Sequence, residues 1–496
     1  MKVMIWARLS YLAIVFTIFL PASLCSQDTT LRTLTLDDAI AIARQQSPDA
    51  LTAKHRFRVS YWQFKSYRAS YLPSLILSGS IPDFNKSIQT YPSDQGTQFY
   101  YKSENWLSAG LSIRQKIGPT GGTLSLNADL SRVDYLIDDS SSYSSNILNV
   151  TYSQPLFQYN EYKWERKLEP IKYTEAKKKY LEEMEDVALT TTNHFFNLLE
   201  AQIRIKIAEI NEANYDTLYK IAQGRYNLGK IAENELLQLE LQYLRAGAAL
   251  EEAGLEIENQ LVKFKSYLRI KDDRPIQLVS PSDITPFFVN AVEALGEARE
   301  NSSTALSFDR RLIEAESEVS RAKLDERFDA SLFAVYGLSN NTNQFQDLTT
   351  NPSDNQQVQL GITLPILDWG VARGKIKMAQ SNQEIVRTAV EQEQLDFNQE
   401  IFLKVARFNM QYNQVVIAAK SDTVAQKGYD ITKARYLIGK ISITDLNIAQ
   451  TEADNSKQSY YNALGSYWRY FYEIRKMTLF DFKTKMPIMV DFNELL

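Results

Sequence analysis

The chain has 496 residues, of which 44% are hydrophobic and 23% charged, and its formal net charge is −5. The hydrophobic content is enough for a packed core, and the slightly acidic balance gives no sign of the basic face that nucleic-acid-binding proteins usually carry. The two histidines, His55 and His194, lie in different helical stretches, and neither has a cluster of cysteine, histidine or aspartate residues beside it. The sequence therefore indicates neither a metal site nor a cofactor.

Residues 1–26 have the pattern of a secretory signal peptide. Basic residues precede an apolar run at 11–20, and small residues follow near a cleavage point. This run is about half as long as a membrane-spanning helix, and no later stretch has about 18 consecutive apolar residues, so we expect no transmembrane helix. Cys25, the single cysteine, lies at the cleavage boundary. It could carry a lipid anchor, although Leu24 before it is a poor match to the small residue that such processing prefers.

Alternation of apolar and polar residues predicts β-strands in two regions, at about 74–155 and 330–365. A period of two gives each strand one apolar and one polar face, and strands of roughly 9 to 11 residues with this pattern suit the wall of an outer-membrane barrel. A soluble β-sandwich is the alternative, and the strands taken alone favour it. Segments rich in serine, asparagine and aspartate predict loops between the strands; these are residues 83–102, 138–145 and 340–355.

The rest of the sequence predicts long helices, because apolar residues recur at coiled-coil spacing among charged residues. The longest runs exceed 60 residues. At about 1.5 Å per residue such a run is roughly 90 Å long, far more than a helix of a globular protein. In each half, the opening helix and the returning helix placed end to end have about the same length as the one long helix beside them. The predicted helices are 36–71, 162–224 and 232–270 in the first half, and 288–328, 371–437 and 444–476 in the second.

A short block that occurs twice shows that the chain is a duplication. Residues 225–231 (RYNLGKI) and 435–441 (RYLIGKI) are 210 residues apart (435 − 225), and each block lies between two predicted helices. A helix-start motif at 38 recurs at 293, which is 255 residues later (293 − 38), so the first half carries 45 extra residues (255 − 210) before its Pro155. These residues form either an additional hairpin that turns at 118–122 or one long surface loop.

The repeated blocks predict the tips of two long helical hairpins. Gly229 and Gly439 fit the left-handed residue that ends a helix, and Ser442 with Asp445 fits a capping box that starts the next one. We therefore divide the chain into a signal peptide (1–26), a first repeat (27–280) with its tip near 224–235, a second repeat (281–476) with its tip near 434–445, and a C-terminal tail (477–496).

These features resemble the TolC family of outer-membrane efflux proteins over nearly all of the mature length. The residues that carry the resemblance are both RYxxG tips and the helix–strand junctions YLPSL (71–75), SQPLF (153–157) and TLPILDWG (363–370), which contain Pro73, Pro155 and Pro365. The resemblance implies an α+β membrane fold, in which three chains share one transmembrane β-barrel continuous with a long α-helical coiled-coil barrel. Physical reasoning agrees, because four to six strands cannot close a barrel and open edges in lipid leave backbone groups unpaired. The family pattern gives four strands per chain, and the extra hairpin would give six.

The resemblance also assigns roles at the tips. Tyr436 matches a tyrosine that holds the tunnel entrance shut, and Asp445 matches a carboxylate that lines the constriction. Glu235, which is 210 residues before Asp445, is a further candidate for this periplasmic gate, or else a solvated acid in a first helical turn. Ile448 and Ile441 replace a carboxylate and an arginine of the family pattern, which predicts a weaker closed-state lock. Residues that the resemblance assigns to adaptor docking, or that simply build a tight turn, are Arg225, Tyr226, Gly229, Lys230, Ile231, Arg435, Gly439, Lys440 and Ile441.

The function that this resemblance implies is the outer-membrane exit duct of a tripartite efflux or type I secretion system. The duct would be a passive homotrimeric channel in the outer membrane with its helical tube in the periplasm, opened when a periplasmic adaptor (membrane fusion) protein docks at the tips. An inner-membrane pump or ABC exporter would supply the cargo, and the sequence leaves drugs, metal ions and polypeptides equally open. The alternatives are a secreted coiled-coil adhesin or scaffold without a pore, and a hydrolase, against which stands the absence of a nucleophile–base constellation in the sequence.

Overall fold

The fold is that of a computed structural model, which describes residues 31–93, 96–272, 274–282 and 284–496. The predicted signal peptide and Cys25 lie outside the described residues. The helices are α1 (Leu36–Gln46), α2 (Pro48–Ala69), α3 (Glu161–Asn227), α4 (Glu233–Leu268), α5 (Ala291–Asn301), α6 (Ser303–Asp325), α7 (Val371–Leu437) and α8 (Ile443–Thr478). The strands are β1 (Arg32–Leu34), β2 (Ser74–Ser93), β3 (Gly96–Ile117), β4 (Gly122–Tyr135), β5 (Ser140–Leu156), β6 (Ile276–Leu278), β7 (Asp329–Thr342), β8 (Ser353–Thr363), β9 (Phe480–Asp481) and β10 (Met486–Pro487).

Two long helical hairpins are the largest elements of the molecule. Helices α3 and α7 have 67 residues each, which is about 100 Å of helix at ~1.5 Å per residue. The 36-residue helices α4 and α8 return from the tips and pack along α3 and α7, respectively. Contact between α3 and α8 joins the two hairpins side by side.

The opening helix of each repeat is broken, contrary to the single helices predicted at 36–71 and 288–328. In the first repeat, Ser47 has an extended backbone (ψ 151°) and its hydroxyl accepts a hydrogen bond from the Ala50 N–H, while Pro48 starts the next helix. This proline disfavours a helical conformation at the residue before it. In the second repeat, Ser302 does the same without a proline (ψ 149°) and accepts from the Ala305 N–H at 3.1 Å.

A six-stranded antiparallel sheet lies at the end of the molecule opposite the hairpin tips, in the order β2-β3-β4-β5-β7-β8. The loop predicted at 83–102 is wrong, because this polar segment pairs with itself as the outer part of the β2–β3 hairpin, for example Ser87 with Lys102. Strand β5 likewise covers 140–145 of the loop predicted at 138–145, and β7 and β8 cover the two ends of the loop predicted at 340–355. The surplus residues of the first repeat form strands rather than a surface loop, and β3 turns into β4 at 118–121.

The main hydrophobic core lies where the helices of both repeats meet, around the fully buried Phe195, Phe196 and Leu464. A buried ion cluster reinforces it: the carboxylate of Glu185, on α3, accepts from Arg44 of α1 at 2.6 Å and from Arg475 of α8 at 2.9 Å. Strands β1 and β6 pair in parallel, and the C-terminal tail packs its Phe492 and Leu495 on a separate small cluster. The largest buried cluster of the chain therefore lies where the helices of the two repeats meet.

Candidate functional site

The two hairpin tips have the same backbone structure. Gly229 (φ +65°) and Gly439 (φ +72°) both adopt the left-handed conformation, as the sequence predicted. At each tip the glycine N–H donates to the tyrosine carbonyl three residues earlier at 2.8 Å, and the following lysine N–H donates to the arginine carbonyl five residues earlier. This is the double hydrogen bond that closes a helix C-terminus. No atom lies within 4 Å of a Cβ added to either glycine, so the backbone conformation alone requires glycine there.

The start of α8 is fixed by the predicted capping box. The Ser442 hydroxyl accepts from the Asp445 N–H, and Asp445 Oδ2 accepts from the Ser442 N–H and hydroxyl. The first turn of α4 has no such side-chain cap at Ala232. Asp445 is exposed and Glu235 half-buried, so both carboxylates reach solvent at the tips.

Tyr436 is buried, unlike most of the residues around it at the tips. It belongs to a cluster formed by both hairpins, in which Leu218 and Leu239 of the first hairpin meet Leu446 of the second. Burial is the main cause of the raised pKa of Tyr436. This cluster, which we call the tip cluster, consists of Tyr215, Leu218, Ala222, Leu239, Ala246, Tyr429, Tyr436, Ile443, Leu446 and Ala453, with Ile231 and Ile441 packed against it.

The other residues singled out at the tips remain at the surface. Arg225 makes a contact with the other hairpin: its guanidinium donates to the Leu437 carbonyl and so links the two tips. Tyr226 is 40% exposed. The remaining exposed residues are Gly229, Lys230, Arg435, Gly439 and Lys440.

A line of polar contacts between the hairpins was missed by the sequence analysis. Asn211 of α3 donates to Asp454 of α8 at 2.7 Å and accepts from Gln450 of α8 at 2.8 Å. Burial is the largest influence on the Asp454 carboxyl and raises its pKa. Further contacts in this line are Tyr215 to Asn447 at 3.1 Å, Lys433 to Asn214 at 2.6 Å, and Asn214 to Tyr429 at 3.4 Å. We call these residues the inter-hairpin seam.

The sequence did contain a signal for the seam. Ala208, Asn211, Tyr215, Leu218 and Ala222 follow one another at spacings of three and four residues, which is the coiled-coil stripe. Asn211 occupies a position of this stripe that is normally apolar. A polar residue at such a position is a known means of specifying how helices pair.

The sheet has one apolar and one polar face. Because side chains alternate along a strand, residue pairing places one exposed large apolar residue of every strand on the same face. These residues are Leu75, Leu111, Leu124, Leu148, Tyr336 and Leu360. The opposite face presents small and polar residues, including Ser78, Ser112, Asn127, Thr151, Ser331 and Gln357.

The three prolines of the predicted junctions lie where strands meet helices. Pro73 directly precedes β2, Pro155 is the penultimate residue of β5, and Pro365 follows the end of β8. Exposed apolar side chains surround this rim, among them Phe157 (70%) and Trp369 (88%). Exposed aromatic residues at such a junction are typical of the membrane–water interface. Among the helices of the described residues, none has both the length and the apolar character needed to cross a membrane.

Comparison with known proteins agrees with this geometry. The family model described as "Outer membrane efflux protein" matches residues 39–268 and 296–478, one segment in each repeat. Three solved structures share the fold: the CmeC outer membrane channel of Campylobacter jejuni (17% identity, TM-score 0.64, covering 92% of this chain and 88% of that chain), the MtrE outer membrane channel of Neisseria gonorrhoeae (16%, 0.62, 92% and 91%) and the outer membrane protein VceC of Vibrio cholerae (13%, 0.62, 92% and 97%). A search of curated protein sequences finds no match.

Proposed function

Because the chain belongs to the outer membrane efflux protein family, we propose that it is the exit duct of a tripartite efflux or type I secretion system. It is an outer-membrane efflux protein with its helices in the periplasm. Three copies form a passive duct, with the sheets joined into one shared barrel and the helical hairpins into one tube. The family consists of channel and transport proteins, and the adhesin alternative finds no support in it.

The observation that carries the proposal is the two-faced sheet. An exposed band of large apolar residues crosses all six strands on one face, with Leu77 76% exposed and Val358 77% exposed at its two ends. A soluble β-sandwich would cover such a band with a second sheet, whereas in a membrane the band contacts lipid. The polar face then lines a water-filled pore. The outer strands β2 and β8 need partners from other copies, since unpaired backbone groups are not tolerated in lipid.

We place adaptor docking at the hairpin tips. Gly229 and Gly439 are required by the turns themselves, so the turn-building alternative accounts for them. The exposed cations Lys230, Arg435 and Lys440 are not needed for the turns, and they lie where a periplasmic partner can reach them. Lys230→Glu with Lys440→Glu is expected to abolish cross-linking to the cognate adaptor. Lys420→Glu, a charge reversal on an exposed lysine of α7 far from the tip, is the matched control and leaves cross-linking unchanged.

We propose that the gate opens by separation of the two hairpins within each chain. In the closed state the tip cluster with Tyr436, the Arg225 contact and the inter-hairpin seam hold the hairpins together. Three copies of Asp445 around the tube axis form a ring of negative charge that favours cations. Glu235 contributes a second, weaker set of carboxylates.

The experiment that tests the proposed function combines fractionation with electrophysiology. The protein is expected in the outer-membrane fraction, as a detergent-extracted trimer that forms cation-selective channels in planar bilayers. A monomer that remains soluble without detergent and forms no channel contradicts the proposal. Deletion of the gene, followed by tests of drug, metal and secretion phenotypes together, identifies the cargo and hence the class of inner-membrane partner.

A further inference from the structure

Strands β3 and β4 have no counterpart in the second repeat. In both repeats a short helix leads into a first strand and a last strand leads into the long helix: α2 into β2 and β5 into α3, α6 into β7 and β8 into α7. In the part of the second repeat that the structure describes, β7 and β8 are the only strands. Strands β3 and β4 span Gly96–Tyr135 and therefore account for nearly all of the 45 surplus residues.

The inserted hairpin is part of the sheet and not an appendage. Strand β3 pairs with β2 from Ser74–Arg114 outward, and β4 pairs with β5 from Thr123–Ser153 outward. The apolar band continues across the insertion, because Leu75 is opposite Ile113, Ile113 is opposite Leu126, and Leu126 is opposite Val150. The polar face is continuous too: the Ser112 hydroxyl donates to Asn127 at 2.6 Å.

Side chains of the neighbouring elements hold the β3–β4 turn at the helix-side rim. The Asn160 amide, at the start of α3, donates to the carbonyls of Gly118 at 3.1 Å and Pro119 at 3.2 Å. The Gln154 amide of β5 donates to the Thr120 carbonyl at 2.7 Å. From β3, Gln115 donates to the Tyr71 carbonyl at the end of α2 at 2.9 Å. The insertion is thus anchored at both helix–strand junctions of the first repeat, α2–β2 and β5–α3.

The two outer strands of the sheet are suited to pair with each other in different copies. Strand β2 leads away from the helices and β8 leads back to them, so the two run in opposite directions. Their apolar faces extend to the edges, which places both edges in lipid, where every backbone group must find a partner. A ring of such six-stranded sheets is therefore antiparallel at every junction.

We infer that β2 of each copy pairs with β8 of the next, and that three copies of the six-stranded sheet close a barrel of eighteen strands. This inference rests on the trimer of the proposed function. Four strands per chain would give twelve, and because the diameter of a barrel grows roughly linearly with strand number, eighteen strands make it about 1.5 times as wide. Barrels of 16–18 strands enclose an aqueous channel.

Paired cysteines distinguish the eighteen-stranded barrel from a twelve-stranded one in which β3 and β4 are extruded. Ser125 of β4 is opposite Thr151 of β5, so Ser125→Cys with Thr151→Cys is expected to form an intrachain disulfide in the membrane. Ser78→Cys with Thr151→Cys is expected to form none, because three strand spacings of about 4.8 Å separate β2 from β5 by roughly 14 Å, twice the reach of a disulfide. Extrusion of the hairpin removes β4 from β5, so absence of the Ser125–Thr151 disulfide in the assembled membrane protein overturns the inference.

The junction between copies is also tested with paired cysteines. A second measurement needs no variant, because the strands of the wild-type barrel can be counted directly. Ser78→Cys combined in turn with Asn355→Cys, Gln357→Cys or Gln359→Cys is expected to yield covalent trimers with at least one partner. Electron cryomicroscopy of the detergent-extracted protein is expected to show eighteen strands. A conducting trimer with twelve strands overturns the inference and leaves the proposed function intact, whereas a protein that neither conducts nor cross-links between copies overturns both.

Discussion

Removal of the Asn211 side chain tests whether the inter-hairpin seam holds the gate closed. Asn211 makes two hydrogen bonds across the seam, one to the carboxylate of Asp454 at 2.7 Å and one from Gln450 at 2.8 Å. A hydrogen bond to a charged group contributes about 1.5–3 kcal/mol and a neutral one about 0.5–1.5 kcal/mol. Asn211 is only half-buried, so water replaces part of the hydrogen-bond energy that the variant loses. The lower limits of the two ranges are therefore appropriate, and together they amount to about 2 kcal/mol. At ~1.4 kcal/mol per tenfold change, Asn211→Ala is expected to raise the open-to-closed ratio about 30-fold.

The assay is single-channel recording of the purified trimer in planar bilayers, together with entry of a large antibiotic into cells. Asn211→Ala is expected to increase the open probability and the antibiotic susceptibility. Thr217→Ala is the matched control, since Thr217 is exposed on the same helix and bonds only to the Ala213 carbonyl of its own helix at 2.9 Å. If the Asn211 variant forms intact trimers with wild-type closed-state conductance, the seam does not hold the gate.

Three further changes probe the tips, the seam and the core. Gly439→Ala is expected to lower the free energy of thermal unfolding by about 1–2 kcal/mol, because the backbone at this position is left-handed. Gly428→Ala is the control, since Gly428 lies inside α7 with open space around it, and it is expected to raise the free energy of unfolding by about 1 kcal/mol. Burial raises the pKa of Asp454 in the closed state above its ordinary 3.8, so the closed state favours the protonated carboxyl. The closed state should therefore become more stable as the pH falls from above that raised pKa towards 3.8. Asp454→Asn should flatten this profile. Glu185→Gln removes the buried carboxylate shared by Arg44 and Arg475, although Arg475 keeps its ion pair with Asp481, and is expected to lower the free energy of denaturant unfolding by about 3 kcal/mol. Loss of the neighbouring surface pair in Glu183→Gln is expected to lower it by at most about 1 kcal/mol.

Features that depend on local sequence could be predicted. The glycine of each tip and the Ser442–Asp445 cap are determined by a few adjacent residues. The RYxxG block that contains the glycine recurs at a spacing of 210 residues, and this repetition identified both hairpins. The helix break at Ser302 could not be read in this way. It depends on Glu182 of α3, whose carboxylate accepts from the Ser303 N–H at 2.7 Å and hydroxyl at 2.6 Å. This partner is 121 residues away in the sequence.

Strand prediction failed where composition and pairing disagree. The stretch 83–102 is polar and therefore resembles a loop, but in the structure β2 and β3 continue as a two-stranded ribbon beyond the end of β4, whose last residue, Tyr135, is opposite Glu104. Residues of a ribbon outside the lipid need no apolar face. Composition alone reports the environment of a segment, and not whether its backbone is paired.

In the gate that we propose, contacts within each copy help to hold the entrance closed. Where the family pattern has a carboxylate and an arginine, Ile448 is 64% exposed and Ile441 packs against the tip cluster. Neither can take part in an ionic lock. Within one copy, the contacts that join the two hairpins near the tips include the buried Tyr436, the bond from Arg225 to the Leu437 carbonyl, and the seam.

Closure and ion selectivity are therefore expected to be separable. All the hydrogen bonds that Asp445 accepts in the capping box go to Oδ2, and the side chain is exposed, so its charge can still face the tube axis. Asp445→Asn keeps an oxygen for the cap and removes the charge, so cation selectivity, measured as the reversal potential in a salt gradient, should fall while open probability stays at the wild-type level. Asn211→Ala should instead raise the open probability and leave the cation selectivity unchanged. If Asp445→Asn changes the open probability as well as the cation selectivity, the carboxylate ring is itself part of the lock.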